Sequence, residues 1–489
     1  MQLFGKHLLM AASLTAFAAF SNHTPAQSQT GTAVRVRPNI VFCISDDQSW
    51  INTSINGDPA VKTPVFDAIA RNGVLFSHSF CSSPSCSPSR AAILTGQDFN
   101  RLESAGNLLG PIPLRFQLYP DILEKAGYAI GLTRKGWGPG NFKVTGRERN
   151  PAGPQFADFK TFLQGVPKGQ PFCFWFGSLD PHRPYEAGIA QKEGAHIRPQ
   201  DIAVPSFLPD VTQVRADLHD YLSEVQRFDR EVGQLLEQLK ARGELDNTLV
   251  VVTADNGMPF PRAKMQLYDY GTRMPLAMQW PARIKGGRTV SDFVSHTDFA
   301  PTFLQAAGLA VLPEMTGRSL LPILESAKSG RIEAMRDRAF MGRERHDIFR
   351  REDGNPYWLG YPMRAVRTDG YLYIRNFQTK RAPAADAPRQ SDSDAGPTKD
   401  FLRDHRDDPN FARFHQLAYG LRPEEELYRI ADDPGQINNV AGDANLARVK
   451  QTLRASLDAW MIRSGDPRAV GRGDVYDAYP PHPKPENGN

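Results

Sequence analysis

Short apolar runs that give out into acids, lysines or histidines recur along this chain. Val36 to Ile44 is apolar enough for a strand buried on both faces, and it ends in Ser45-Asp46-Asp47. Ala129 to Leu132 runs into Thr133-Arg134-Lys135-Gly136-Trp137-Gly138, and Phe172 to Phe176 into Ser178-Leu179-Asp180-Pro181-His182-Arg183. Thr248 to Thr253 emerges at Ala254-Asp255-Asn256-Gly257, and Met274 to Trp280 predicts one further strand. Helical spacing lies between these runs. Thr63-Pro64 opens a helix through Ala70 that Gly73 closes, and Pro120 to Lys125 forms a short helix stopped at Gly127. From Asp217 to Lys240, Leu218, Leu222, Val225, Phe228, Val232, Leu235 and Leu239 share one helical face, and Gly243 ends the helix. Alternating strand, loop and helix predict an α/β fold with a large, mostly parallel sheet flanked by helices on both faces. Ligands of such sheets lie beyond the carboxyl ends of the strands. Asp46, Asp47, Lys135, His182, Asp255 and Asn256 are therefore expected on one rim despite their separation in sequence.

Near residue 340 the pattern changes. Ala365 to Phe377 alternates around Asp369-Gly370, a hairpin signal, and residues 380–410 are polar and read as a solvated loop. Ala444 to Met461 predicts a last amphipathic helix, and the tail from Gly465 is rich in Pro, Gly and Asp. No internal repeat is visible. The expected organisation is a secretory signal over residues 1–28, an α/β domain over 34–340, and a smaller C-terminal subdomain over 341–489 with an antiparallel sheet and a helix.

Composition narrows the classes. A net charge of +4 over 489 residues, with no dense Lys/Arg block, argues against a nucleic-acid partner. Lys6 and His7 precede the apolar run Leu8 to Phe20, and a polar stretch leads to Pro25-Ala26. That is the layout of an export signal and too short for a comfortable membrane span, so an exported, periplasmic or secreted protein without stable membrane insertion is expected. The four cysteines, Cys43, Cys81, Cys86 and Cys173, are too few for a disulfide scaffold. Cys43 and Cys173 sit in strand-like runs and read as core, whereas Cys81 and Cys86 are close enough in sequence to pair.

Cys86-Ser87-Pro88-Ser89-Arg90-Ala91-Ala92-Ile93-Leu94-Thr95-Gly96 carries the first chemical signal. Pro88 to Leu94 predicts a helix with Gly96 as its cap, placing Cys86 just before an N-terminus that favours negative charge and lowers a thiol pKa. Arg90 lies one turn on. Asp46, Asp47, Asp255 and Asn256 form an oxygen-donor set suited to Ca²⁺ or Mg²⁺ and poor for zinc. Arg90, Lys135 and Lys264 add positive charge for a tetrahedral oxyanion, and His182 is placed to act as a general acid.

Cys86-Ser87-Pro88-Ser89-Arg90 with Leu94-Thr95-Gly96 resembles the signature of the type I, formylglycine-dependent sulfatases. The resemblance extends over nearly the whole chain through Asp46-Asp47, Gly127-Tyr128, Asp180-Pro181-His182, Thr253 to Gly257, Val294 to Gly308 and Glu426-Leu427-Tyr428 ahead of Asp433-Pro434. It implies an alkaline-phosphatase-like α/β sandwich. It also implies that Cys86 is converted to formylglycine by a formylglycine-generating enzyme, and that the hydrated aldehyde attacks sulfur and passes through a sulfated-enzyme intermediate. Asp46, Asp47, Asp255 and Asn256 would hold Ca²⁺, Arg90 would steady the modified side chain, Lys135 and Lys264 would grip sulfate, and His182 would protonate the leaving group. One departure stands out. The family carries Lys-x-His after the third strand, but this chain reads Arg134-Lys135-Gly136-Trp137-Gly138. Depending on register, Gly136 or Trp137 takes the place of the histidine and Arg134 or Lys135 that of the lysine, with Lys135 favoured.

Within the family, Phe176 to Arg183, Asp255 to Pro261 and Tyr361 to Val366 are most similar to the heparan N-sulfatases (sulfamidases). That resemblance assigns Arg345, His346 and Asp347, with Arg183, to glycan binding, and it puts Lys264 where the group has arginine. The leading expectation is an exported Ca²⁺-dependent sulfatase acting on a sulfated glycosaminoglycan, most specifically on the N-sulfate of glucosamine. The other readings are an O-sulfatase, a phosphonate monoester or phosphodiester hydrolase, and a glycan- or calcium-binding protein with unmodified Cys86.

Overall fold

The computed structural model describes residues 37–346, 349–350, 356–357, 360–384, 390 and 393–483. The export signal expected over 1–28, and Asp347, lie outside the described residues. Eight strands make the main sheet: β1 (Asn39–Ser45), β2 (Val74–Phe76), β3 (Ala129–Arg134), β4 (Gln155–Phe156), β5 (Phe172–Gly177), β6 (Thr248–Ala254), β7 (Leu276–Gln279) and β8 (Arg288–Val290). Their order is β8-β2-β7-β6-β1-β5-β3-β4. Only β7 runs against the rest. The single strand expected from Met274 to Trp280 is split at Pro275, with Arg273 and Met274 pairing into a separate small sheet.

β1 and β6 are buried along their whole length, as near-continuous apolar runs require at the centre of a parallel sheet. Alternate residues feed two cores. Ile40, Phe42 and Ile44 pack with Ala91, Ile93, Leu94, Phe299 and Phe303 on one face. Val41 and Cys43 pack with Phe66, Ile69, Phe228, Val232 and Leu235 on the other. The helices supplying the first face are α1 (Cys86–Thr95) and α2 (Phe299–Ala306), and α3 (Thr212–Arg242) supplies much of the second. α3 starts five residues before the expected Asp217, because Val214 also finds apolar partners. All four cysteines are free, so Cys81 and Cys86 are not paired.

A four-stranded antiparallel sheet, β9 (Arg338–Arg343), β10 (Met363–Thr368), β11 (Tyr371–Asn376) and β12 (Glu425–Arg429), follows the change of pattern near residue 340. The expected hairpin is β10–β11, with Arg367 opposite Leu372. Helix α4 (Ala447–Arg463) sends Leu453, Leu457 and Trp460 into the core beside it. The polar stretch 380–410 is not loop throughout. Pro397–Asp404 is helical, with Phe401 and Leu402 buried. Among the described residues no helix is long and apolar enough to cross a membrane.

Candidate active site

The register of the two central strands builds the site. Ser45 pairs with Ala254, so Asp46 and Asp255 leave the sheet side by side. The Asp47 N–H donates to Asp255 Oδ1 at 3.0 Å, as does that of Asn256 at 2.8 Å. Cys86 is the first residue of α1 rather than the residue before it, with Ser85 as N-cap. Its Sγ lies 3.6 Å from Asp46 Oδ1 and 3.8 Å from Asp47 Oδ1. Ligand atoms of Asp46, Asp47, Cys86 and Asp255 all fall within 4.8 Å of one another. Asn256 donates its amide to Asp47 Oδ1 at 2.7 Å, while its own buried Oδ1 has no hydrogen-bond partner. An orphaned amide oxygen beside three converging carboxylates is what a hard, oxygen-seeking cation would satisfy, so the donor set fits Ca²⁺ or Mg²⁺.

Cations surround these acids. Arg90, wholly buried, donates Nε to Asp255 Oδ2 at 2.8 Å and Nη1 to the carbonyls of Lys135 and Gly136, both at 2.9 Å. It thereby fixes the Lys135 turn as well as a carboxylate. Lys135 Nζ lies 2.5 Å from Asp46 Oδ2, and Lys264 Nζ 2.7 Å from Asp47 Oδ2. Burial alone would raise the Asp46 carboxyl, but Lys135 and then Arg90 outweigh it and hold it far below the usual range. Burial wins at Asp255, whose carboxyl is pushed up. It wins at Cys86 too, raising the thiol despite Lys135 and Lys264. The expected low thiol pKa is thus not found. The helix end acts, but loss of water and the nearby carboxylates cost the thiolate more.

The ambiguity after β3 resolves in space. Lys135 enters the site, whereas Arg134, at φ 56°, turns outward and forks onto Glu231. Gly136 has no room for a histidine, because a Cβ there would meet Asn150 Oδ1 at 2.4 Å. Trp137 packs in the main core.

His182 Nε2 stands 3.8 Å from the same Asp47 oxygen that Lys264 holds, with its side chain 35% exposed at the mouth. Its turn is anchored by Asp180, which accepts Arg227 Nε at 2.6 Å and Nη2 at 2.9 Å. Arg183 does not line the site as expected. It forks onto Asp217 of α3 at 2.8 and 2.7 Å and gives Nε to the Pro259 carbonyl, so its fork faces the protein interior. Arg345 is likewise buried and bonded to the Tyr479 carbonyl. His346 is buried with Nδ1 2.8 Å from the hydroxyl of Ser85. Burial first, and then Lys264, holds its pKa well below the ordinary value, so the imidazole is neutral. One group at the site had no local signal in the sequence: Asp394, whose Oδ2 lies 2.9 Å from Lys264 Nζ. An Asp in a polar stretch looks the same whether it meets water or a lysine 130 residues away.

Residues 38–149 and 153–309 match the family model for sulfatases. The N-sulphoglucosamine sulphohydrolase of Homo sapiens is 29% identical to this chain, covering 88% of it and 92% of its own length. An ulvan-active sulfatase of Formosa agariphila is 26% identical, covering 90% of this chain and 82% of its own length. Among solved structures, one described as in complex with its substrate D-glucosamine-2-N,6-O-disulfate aligns with a TM-score of 0.63 at 21% identity. It covers 89% of this chain and 100% of that one.

Proposed function

This chain belongs to the sulfatase family, and from that premise we propose that it removes the N-sulfate of glucosamine from heparin or heparan sulfate, as an exported, calcium-dependent enzyme whose Cys86 becomes formylglycine. The observation that carries the catalytic reading is the meeting of Cys86 with Asp46 and Asp47 beneath Lys135, Lys264 and His182. The substrate class is favoured by the human N-sulphoglucosamine sulphohydrolase, which aligns over most of both chains. When bound, the metal would supply Lewis acidity, and the modified Cys86 would supply the nucleophile.

The remaining tasks fall to ordinary side chains. Asp46, Asp47, Asp255 and the Asn256 carbonyl oxygen would hold the cation. Lys135 and Lys264 stay protonated although burial opposes it, because Asp46 holds the first and Asp394 with Asp47 the second. Both are thus charged and fixed before sulfate arrives, which is what preorganised stabilisation of developing charge requires. Arg90 ties the Lys135 turn to Asp255. His182, at the open side, gives its Nε2 proton to the departing nitrogen. Residues 34–340 form the catalytic domain in this reading, and 341–489 the subdomain that brings His346 and Asp394 to the glycan. Maturation of Cys86 requires a formylglycine-generating enzyme, and residues 1–28 direct export.

Hydrolysis of glucosamine N-sulfate, N-acetylglucosamine 6-sulfate and an aryl phosphonate by the natively expressed protein, with and without chelator, tests this. Preference for the N-sulfate, lost on chelation and restored by Ca²⁺, is expected. Preference for the 6-sulfate would replace the reading with that of an O-sulfatase. An unmodified Cys86 thiol in peptides of that same protein, found by mass spectrometry, would remove the nucleophile from it.

A further inference from the structure

Lys264 is shared between two acids that occupy different places. Its Nζ lies 2.7 Å from Asp47 Oδ2 and 2.9 Å from Asp394 Oδ2. The Asp47 side chain is sealed, whereas that of Asp394 is 23% exposed. His182, near enough to Asp394 for its charge to act on that carboxyl, is also part-exposed, while Cys86 is only 2% exposed. A group displaced in line from sulfur departs away from the attacking residue. The leaving atom therefore emerges toward the opening, where His182 and Asp394 stand.

Asp394 is held in place rather than hanging in solvent. Lys399 Nζ donates to the carbonyls of Gln390 at 2.9 Å and Ser393 at 2.7 Å. The N–H and hydroxyl of Thr398 donate to Asp217 Oδ2 at 3.1 and 2.6 Å. Asp217 is also the carboxylate that Arg183 grips, one residue after His182. Gly396 packs so tightly on this guanidinium that a Cβ would meet Arg183 Nη1 at 2.4 Å. Arg183 and Asp217 thus rivet the Asp394 segment to the turn that carries the acid. Burial would raise the Asp394 carboxyl, but Lys264 and then His182 outweigh it and keep it ionised.

We propose that Asp394 is a specificity residue that accepts the N–H of a sulfamate, so that the site takes an N-sulfated amino sugar in preference to a sulfate ester. The inference rests on the N-sulfate reading above. A sulfamate nitrogen carries a hydrogen to donate. The bridging oxygen of an ester offers only lone pairs, which face a fixed carboxylate unfavourably. The product side follows the same logic. The S–N bond breaks with its electron pair left on nitrogen, which takes the Nε2 proton of His182. The amine so formed gains a second proton from water, and the ammonium pairs with the Asp394 carboxylate. An alcohol leaving from an ester gains nothing comparable.

The test compares the full-length, metal-loaded protein with Asp394→Asn and Asp394→Glu. One readout is kcat/KM on glucosamine N-sulfate and N-acetylglucosamine 6-sulfate. The other is calorimetric binding of the same two sugars in a Cys86→Ala background, which needs no turnover. Asp394→Asn is expected to lower the N-sulfate to O-sulfate ratio by about tenfold, the worth of one charge-assisted hydrogen bond, and to shift the binding ratio in the same direction. Asp394→Glu, which keeps the carboxylate, is expected to retain most of the preference, and it stands in if the Asn variant misfolds. Equal loss on both sugars, or an unchanged ratio, would leave Asp394 as a support for Lys264 and overturn the proposal. A parent protein that cleaves only the 6-sulfate would instead fail the N-sulfate reading itself.

Discussion

Among the clusters of buried charge in the described residues, two are built on opposite plans. Behind the small sheet, Arg364 gives Nη2 to Glu344 and Nε to Asp466, both at 2.6 Å, and donates Nη1 to the carbonyls of Arg343 and Met363. Arg468 forks onto the same Glu344 at 2.7 and 2.5 Å. Each acid there faces a guanidinium. At the carboxyl ends of β1 and β6, by contrast, Asp46, Asp47 and Asp255 converge on one another, the Asn256 oxygen is unpartnered, and one flank opens through His182. A cluster that only stabilises pairs its charges off. A cluster built to bind leaves an acceptor open and holds its acids close together, an arrangement that a bound cation and substrate would favour.

The sharpest way to break the contrast is at Cys86. Cys86→Ala removes one sulfur from the start of a helix whose N-cap and C-cap stay in place. Turnover is expected to fall by about four orders of magnitude or more, with the thermal midpoint unmoved. A fall in the midpoint that matched the lost activity would place Cys86 in the scaffold instead. Next comes Arg364→Ala, which leaves Asp466 a buried acid without its guanidinium and Glu344 with Arg468 alone. The expected cost is about 3–5 kcal/mol in denaturant unfolding, with kcat per folded molecule unchanged. A selective loss of kcat would show that this cluster also serves the site.

The smallest effect concerns Asp98, another buried acid, whose carboxylate has the Thr316 hydroxyl and the Trp460 indole N–H, the latter at 3.3 Å, beside it. Burial pushes its pKa up to about 6. The folded state therefore keeps a proton that the unfolded chain releases near pH 4. Stability is lost as pH rises from about 4 to about 6, and the penalty stays above that. Asp98→Asn is expected to flatten that window, recovering about 1–3 kcal/mol at neutral pH. An unchanged pH profile of unfolding would show that this carboxyl ionises as freely in the fold as outside it.

What could be read from sequence divides along the same line as the two clusters. Asp46, Asp47, Asp255 and Asn256 were legible because each sits just past an apolar run, and the sheet fixes where such runs end. Cys86 was legible from its motif, although its ionisation was misjudged, since the water lost around it depends on residues far away. Arg134 and Lys135 were separable only in space, because a left-handed residue at the strand exit decides which of them turns inward. Arg183 looked like a ligand because a charged loop residue gives no hint that Asp217, on a helix, will take both arms of its fork. Asp394 had no signal, and the helix Pro397–Asp404 was hidden in a polar stretch whose few apolar residues, Phe401 and Leu402, are the ones it buries.

The pairing of β1 with β6 also sets an order of events. Residues 39–45 lie against 248–254, so the middle of the sheet cannot close until more than half the chain has left the ribosome. Closing so long a loop is entropically slow. Throughout that interval Asp46 and Asp47 stay hydrated and unopposed, and the stretch around Cys86 lacks the strands that later seal it. The thiol can be approached from every side while the chain is young, and only along the His182 flank once these strands have paired.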